Sequence, residues 1–288
     1  MQYKLPNGDV FEVNRDVGGR GRYKLNDKPL TGVTTILNEQ AKPYLIVWAA
    51  KEAYKDCVGR TKAQIEEIIK TANYAHTKKS DTAKDIGTEA HDAIEIFIKH
   101  NIKTGEYLNE YKFQTDEARI SAHRFFRWAI DNKVKFLESE ISVYHGVYWY
   151  GGSFDFICEI DGKVYLGDFK TSSKIETTYY AQGAAYMHAV NYIRSIEGKS
   201  KYEFAGTIIV KSTKEEGDKT FVETNDYGTR KLVTTPAFEV GLSTNIEADW
   251  QYFLCLLGIY RYNKNKEIRE FNIAPTAPEF YNEETNDK

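Results

Sequence analysis

The period of the apolar positions changes several times along this 288-residue chain, and each change marks a new element. Residues 1 to 30 carry short β-prone runs, with Asn7-Gly8 as a hairpin turn before Val10-Phe-Glu-Val13, because a tight primed turn needs residues that tolerate positive φ. They predict an N-terminal β ornament. Helical spacing follows from Thr34 to Ala53, punctuated by Pro43, and returns over about residues 61 to 72. Ile86, Ala90, Ala93, Ile94, Phe97 and Ile98 then recur at i, i+4, i+7, i+8, i+11 and i+12. That stripe predicts a helix over about 83–100 with one buried face, and His91 sits on its polar flank. A further helix over about 117–136 places Ala122, Phe126, Ala129 and Ile130 together.

Strand texture replaces helix at Glu140-Ile-Ser-Val-Tyr144, Ser153-Phe-Asp-Phe-Ile-Cys-Glu-Ile160 and Lys163-Val-Tyr-Leu-Gly-Asp-Phe-Lys170. The last two flank Asp161-Gly162, a two-residue loop that implies an antiparallel hairpin. A helix over about 176–196 leads to Phe204-Ala-Gly-Thr-Ile-Ile-Val210, short and β-branched enough for a central strand. Residues 211 to 236 are polar and glycine-punctuated, as in an exposed hairpin or loop. Thr244-Asn-Ile-Glu247 has the capping-box pattern of a final helix carrying Trp250, Phe253, Leu254 and Leu257. A frayed tail after Phe271 completes the reading. Helices, three antiparallel strands, helix, strand and helix make an α+β fold, a sheet with helices on its faces. No repeat or linker divides it, so residues 1–288 are read as one domain.

With 41% hydrophobic and 28% charged residues the chain can bury a core, which excludes a disordered or collagenous protein. Lys plus Arg number 39 against 42 acids, a net charge of -3. That excludes a polycation but not a nucleic-acid enzyme with a local basic surface. Cys57, Cys158 and Cys255 are too scattered for a disulfide framework or zinc ribbon. The start lacks an apolar leader and no 18 apolar residues run together, so a cytoplasmic protein is expected.

The chemistry concentrates between Gly152 and Lys170. Along the strand 163–170, Val164, Leu166, Asp168 and Lys170 share one face. An acid and a base at the end of an otherwise apolar face are rarely buried without a partner or a metal. Asp155 and Asp168 lie symmetrically about the Asp161-Gly162 turn, so hairpin pairing brings the two carboxylates together. They repel unless a cation joins them, and a hard divalent ion such as Mg²⁺ suits oxygen ligands. An ion held so can polarise a phosphoryl oxygen while Lys170 stabilises developing charge, a recipe for phosphodiester hydrolysis.

Gly152-x-x-Asp155, Asp168-x-Lys170, Gln182-x-x-x-Tyr186 and the upstream Gly87-Thr-Glu-Ala-His91 together resemble the PD-(D/E)XK nuclease superfamily, specifically its RecB-type branch. Val33-Thr-Thr-Ile-Leu37 and Trp48-Ala-Ala50 are similar to phage-encoded and mitochondrial genome maintenance exonucleases. The resemblance implies an αβββαβ core within a central mixed sheet, over about residues 84–212. An N-terminal extension (1–83), a C-terminal hairpin and helix (213–271) and the tail (272–288) surround it. It implies that His91, Asp155, Asp168 and the Phe169 backbone carbonyl bind Mg²⁺ or Mn²⁺ and that Lys170 is catalytic together with Asp155 and Asp168. Gln182 and Tyr186, one helical turn apart, would face the site, and Glu140 would be a further acid near the metal. No iron-sulfur cluster is expected, because three scattered cysteines cannot supply a four-cysteine clasp.

The activity so implied is a metal-dependent deoxyribonuclease, an exonuclease in recombination, repair or replication. Its partner is single- or double-stranded DNA, with RNA and an endonuclease mode as alternatives, and no membrane. A catalytically inactive nucleic-acid-binding module on the same fold and a glycosidase using Asp155 and Asp168 are the rival readings. Arg119, Arg124, Arg127, Lys133 and Lys135 are either a solvated helix face or phosphate contacts, and Tyr148-Trp-Tyr150 either packs or stacks on bases.

Overall fold

The computed structural model describes residues 1–15, 21–40, 54, 57–62, 64–65, 75–224 and 230–264, with backbone alone at residues 15, 75–86, 223 and 224. The readings that fall on 41–53, on most of 61–72 and on the tail lie outside the described residues.

Four short strands, β1 (Gln2–Lys4), β2 (Val10–Arg15), β3 (Gly21–Leu25) and β4 (Lys28–Pro29), form an antiparallel sheet in sequence order. Gly8, with φ of +90°, turns β1 into β2. The sheet buries Leu5, Phe11, Val13 and Leu25 against Tyr144, with Tyr192 and Ile193 packed alongside.

A second, mixed sheet holds β5 (Thr31–Gly32), β6 (Lys135–His145), β7 (Tyr150–Ile160), β8 (Lys163–Lys170), β9 (Phe204–Ser212) and β12 (Phe238–Ser243). β6, β7 and β8 are antiparallel neighbours, β9 runs parallel to β8, and β12 closes the far edge antiparallel to β9. Helices α1 (Val33–Leu37), α2 (Ala75–Thr104), α3 (Asp116–Asp131), α4 (Thr177–Ile196) and α5 (Ile246–Lys264) flank it. On one face Val143, Tyr150, Ile157 and Leu166 pack against α1, α4 and α5. On the other, Phe156, Cys158, Phe169, Ile208 and Val210 pack against α2 and α3. The architecture is therefore a central mixed sheet with helices on both faces. Strands β10 (Lys219–Thr224) and β11 (Arg230–Thr235) pair as a separate hairpin. No helix among the described residues is long and apolar enough to cross a membrane.

Several details depart from the sequence reading. Helix α3 ends at Asp131 rather than near 136, because Asn132 caps it and Lys133 takes φ of +50°, which frees the β-prone 134–137 segment to open β6. Its buried face is Ala118, Ser121, Ala122, Phe125, Trp128 and Ala129, while Ile130 is exposed. Helix α5 is capped by Asn245, whose Oδ1 accepts from the Ala248 amide at 3.3 Å, in place of the expected Thr244 box. Edge strand β12 was not anticipated. Tyr148, Trp149 and Tyr150 serve packing: Tyr150 is fully buried and donates to the Ala185 carbonyl at 2.8 Å, Tyr148 stands edge-on to Trp250, and Trp149 Nε1 donates to the Pro29 carbonyl at 2.9 Å.

One consequence of the core is a pH dependence of stability. His145 is buried among Tyr148, Tyr150, Tyr192 and Trp250. Burial, reinforced by the nearby His188, holds its pKa down at about 4. The unfolded chain binds a proton near pH 6.5 and the folded one only near 4, so the contribution of neutral His145 is complete above pH 6.5 and fades as pH falls to 4. Unfolding free energy is expected to drop by up to about 3 kcal/mol over that window from this residue. Denaturant unfolding of the wild type and His145→Gln across pH 4–7 checks it; an equal pH slope in both refutes the assignment.

Candidate active site

Strand β7 explains why an opening exists. β6 covers one edge of it along nearly its whole length. On the opposite edge β5 pairs only at Tyr150 and Gly151, and β8 pairs only from Phe156 to Ile160. No strand among the described residues pairs the backbone between, residues 152–155, on this edge, and it lies at the floor of a cleft of about 830 Å³. Its walls include Arg22, Tyr23 and Lys24 of β3, Thr34 and Thr35 of α1, and Gln182 and Tyr186 of α4, with Glu140, Asp155, Asp168 and Lys170 below.

The hairpin register is the one the turn demands: Phe156 faces Gly167, so Asp155 and Asp168 are next in line at the open end. Asp155 Oδ2 accepts a hydrogen bond from the Phe169 amide at 2.6 Å and lies 3.9 Å from His91 Nδ1. Asp168 is 5% exposed, and its Oδ2 is in contact with the Lys170 ammonium, which donates to it. Burial, with the Asp155 charge adding to it, raises the Asp168 carboxyl to about 6 against the pull of Lys170. For Lys170, burial opposes the charged form, but Asp168 and Asp155 outweigh it and hold the ammonium above the usual lysine pKa. Burial is also the main cause that lowers the pKa of His91, with Asp155 acting against it. The imidazole is therefore neutral near pH 7 with a nitrogen lone pair to offer.

Each of these side chains is positioned by a close approach. Gly87, on α2, lies where a Cβ would press on Thr171 Oγ1 at 3.3 Å, so the helix runs against the end of β8. One turn later the His91 ring meets the Phe169 ring edge-on, with centroids 4.9 Å apart. Gln182 Nε2 donates to the Tyr186 hydroxyl at 3.1 Å, and the Tyr186 ring lies over Gly152, where any Cβ would overlap it. Glu140 has φ of +51°, unusual for a residue with a side chain. It stands opposite Asp155, between the pairs Ser139↔Phe156 and Ile141↔Phe154. There the alternation of β7 breaks, since Phe154 and Phe156 pack on different faces of the sheet.

The basic helix stands apart from the cleft lining. Arg119 pairs with Asp116, Arg127 with Asp131, and the Arg124 guanidinium donates to the carbonyls of Thr213, Glu215 and Glu216. Arg124 thus ties the loop after β9 to α3. Sequence reasoning missed the β3 residues, and it missed Lys211. That lysine is fully buried, donates to the Ser173 and Pro236 carbonyls at 3.1 and 2.6 Å, and pairs with Glu239 at 3.3 Å. It anchors the loop that follows Lys170. The signal was faint: a lysine ending an otherwise apolar strand.

Two buried or half-buried carboxylates beside a neutral imidazole form a hard oxygen and nitrogen donor set that fits a divalent cation. Among the described residues no three such side chains already stand close enough together to clasp an ion, and Lys170 is the cation beside Asp168.

No protein-family model and no curated protein matches the chain. Among solved structures, it is similar to one named "Putative exonuclease" from Eubacterium rectale, at 17% identity and a TM-score of 0.37 over 65% of this chain and 69% of that one. It is also similar to an alkaline exonuclease from Laribacter hongkongensis, at 12% identity and a TM-score of 0.20 over 62% and 91% of the two chains.

Proposed function

We propose that this protein is a divalent-metal-dependent deoxyribonuclease of the PD-(D/E)XK type that works from DNA ends. The observation that carries the reading is the buried Asp168 carboxylate paired with the Lys170 ammonium and set beside Asp155, at the stretch of β7 that no strand among the described residues pairs on the β5 and β8 edge. His91, Asp155 and Asp168 would hold Mg²⁺ or Mn²⁺. When bound, such an ion polarises a phosphoryl oxygen and lowers the pKa of an attacking water.

The remaining work falls to the chain itself. Asp155 is held by the Phe169 amide, so its outer oxygen is fixed in orientation. His91 stays neutral and able to donate its lone pair. Lys170 stays protonated, and its ammonium offers protons to the negative charge that grows on the phosphoryl oxygens. Tyr186 and Gln182, both buried, restrain each other in the cleft wall and hold the Tyr186 ring over Gly152. A glycosidase reading leaves Lys170 without a task.

The end-directed mode is tested with linear DNA labelled at the 5′ or the 3′ end, beside a closed circle, each incubated with Mg²⁺. Shortening of the linear strands from one end while the circle survives is the expected result. Nicking of the circle makes the protein an endonuclease, and binding of both without turnover makes it an inactive module.

A further inference from the structure

We propose that the N-terminal sheet is half of the nucleic-acid channel, with Arg22 and Lys24 of β3 holding the phosphates that flank the scissile bond. This rests on the nuclease reading of the cleft floor and extends it to a wall that the resemblance does not cover.

The floor itself is hostile to a polyanion. Among the described residues, Asp155 and Asp168 share the cleft floor with Lys170, and the net charge of -3 provides no general attraction. Attraction must come from a local basic surface. Along β3 the side chains alternate: Arg22 and Lys24 are exposed on one face, whereas Tyr23 turns the other way. Tyr23 Cβ packs over Gly151, where an added Cβ would lie 3.0 Å from it, and the Tyr23 hydroxyl hydrogen-bonds Ser153 at 3.2 Å. β3 is thereby bolted to the strand that carries Asp155, and Arg22 and Lys24 are among the residues that line the cleft with the acids. Residues two apart on a strand are separated by about 6.7 Å, so each cation can take its own phosphate. Glu12, directly across from Lys24, is engaged by the Gln2 amide at 3.0 Å.

The geometry sorts roles along the channel. The acidic floor receives the phosphodiester to be cut, and the basic wall sets the register of the strand beside it. The wall therefore contributes to substrate affinity in ground and transition states alike and acts mainly on KM.

The test uses the full chain and a fluorescein-labelled single-stranded oligonucleotide. Anisotropy in EDTA over a salt series, where no cleavage intervenes, gives affinity and its salt slope; KM and kcat with Mg²⁺ are measured separately. Arg22→Ala/Lys24→Ala is expected to weaken binding tenfold or more at low salt and to make the slope shallower by roughly 1.4, the counterion release of two phosphate contacts to a single strand. KM should rise by more than kcat falls. Arg22→Gln/Lys24→Gln, which keeps polar side chains at both exposed positions, is expected to lose binding equally and guards against a misfolded alanine variant. Wild-type affinity and slope in both variants overturn the proposal even if the enzyme cleaves DNA, as does a wild type that does not bind the oligonucleotide. Binding that depends on Arg22 and Lys24 without turnover upholds the channel and removes the nuclease reading instead.

Discussion

Replacing Lys170 with alanine is expected to lower kcat for DNA hydrolysis by about 10²–10³-fold, the usual cost of deleting one preorganised charge donor at a reacting centre. The ammonium is largely buried and in contact with the Asp168 carboxylate. Both acids of the hairpin keep it protonated despite burial. It is therefore charged before substrate arrives, and no reorganisation is needed as charge develops on the phosphate. Lys170→Arg is expected to restore little, because a planar guanidinium cannot take the place of a compact ammonium against one carboxylate oxygen. Affinity for the labelled oligonucleotide in EDTA should change less than threefold, which separates loss of chemistry from loss of fold or binding. Steady-state kinetics on linear DNA provide the measurement, and undiminished kcat in Lys170→Ala removes this lysine from the mechanism.

The largest expected effect on stability comes from Gly167→Ala, one residue before Asp168. Gly167 stands directly across from Phe156 in the hairpin, and any Cβ there would fall within the Phe156 ring. The ring cannot step aside. Phe156 is fully buried, with Phe125, Phe136 and Trp128 around it at centroid distances of 5.6, 5.5 and 6.4 Å. Overpacking at such a point costs about 3 kcal/mol. For a chain of this size the melting temperature would drop by roughly 6–10 °C. Phe156→Leu makes room for the methyl group, so in the Gly167→Ala background it should recover part of the loss although it destabilises the wild type. A favourable coupling of at least about 1 kcal/mol in the double-mutant cycle is expected. Strict additivity would mean that the two side chains do not collide.

The hairpin was legible because its turn allows one register. Asp161 and Gly162 both take positive φ, at 49° and 74°, and a two-residue loop of that kind sets which residue faces which. From there the meeting of Asp155 and Asp168 is arithmetic. The i, i+4 spacing of Gln182 and Tyr186 was legible for a similar reason, since helical periodicity places them on one face. The stripe from Ala90 to Ile98 likewise marked the helix that brings His91 to Asp155.

What could not be read depends on contacts between distant segments. The two-residue pairing of β5 with β7 leaves no local pattern, yet it forms one side of the cleft and brings Arg22 and Lys24 to it. The positive φ of Glu140 breaks strand alternation at one point, while the sequence around it alternates normally. Ile130 was misassigned because α3 turns its aromatic side, Phe125 and Trp128, to the sheet, and helical period alone does not choose between neighbouring stripes. For Arg124 the sequence left a solvated helix face and a phosphate contact both open, whereas its guanidinium is occupied by three backbone carbonyls.

The most direct test of the account is the rate of nucleotide release from linear DNA by the wild-type protein as Mg²⁺ is titrated from zero in metal-free buffer. No release without the ion, a saturable rise with it and abolition by EDTA are predicted. Release that persists in EDTA, or none at any concentration of Mg²⁺ or Mn²⁺, would contradict the assignment of Asp155, Asp168 and Lys170 to metal-dependent phosphodiester hydrolysis.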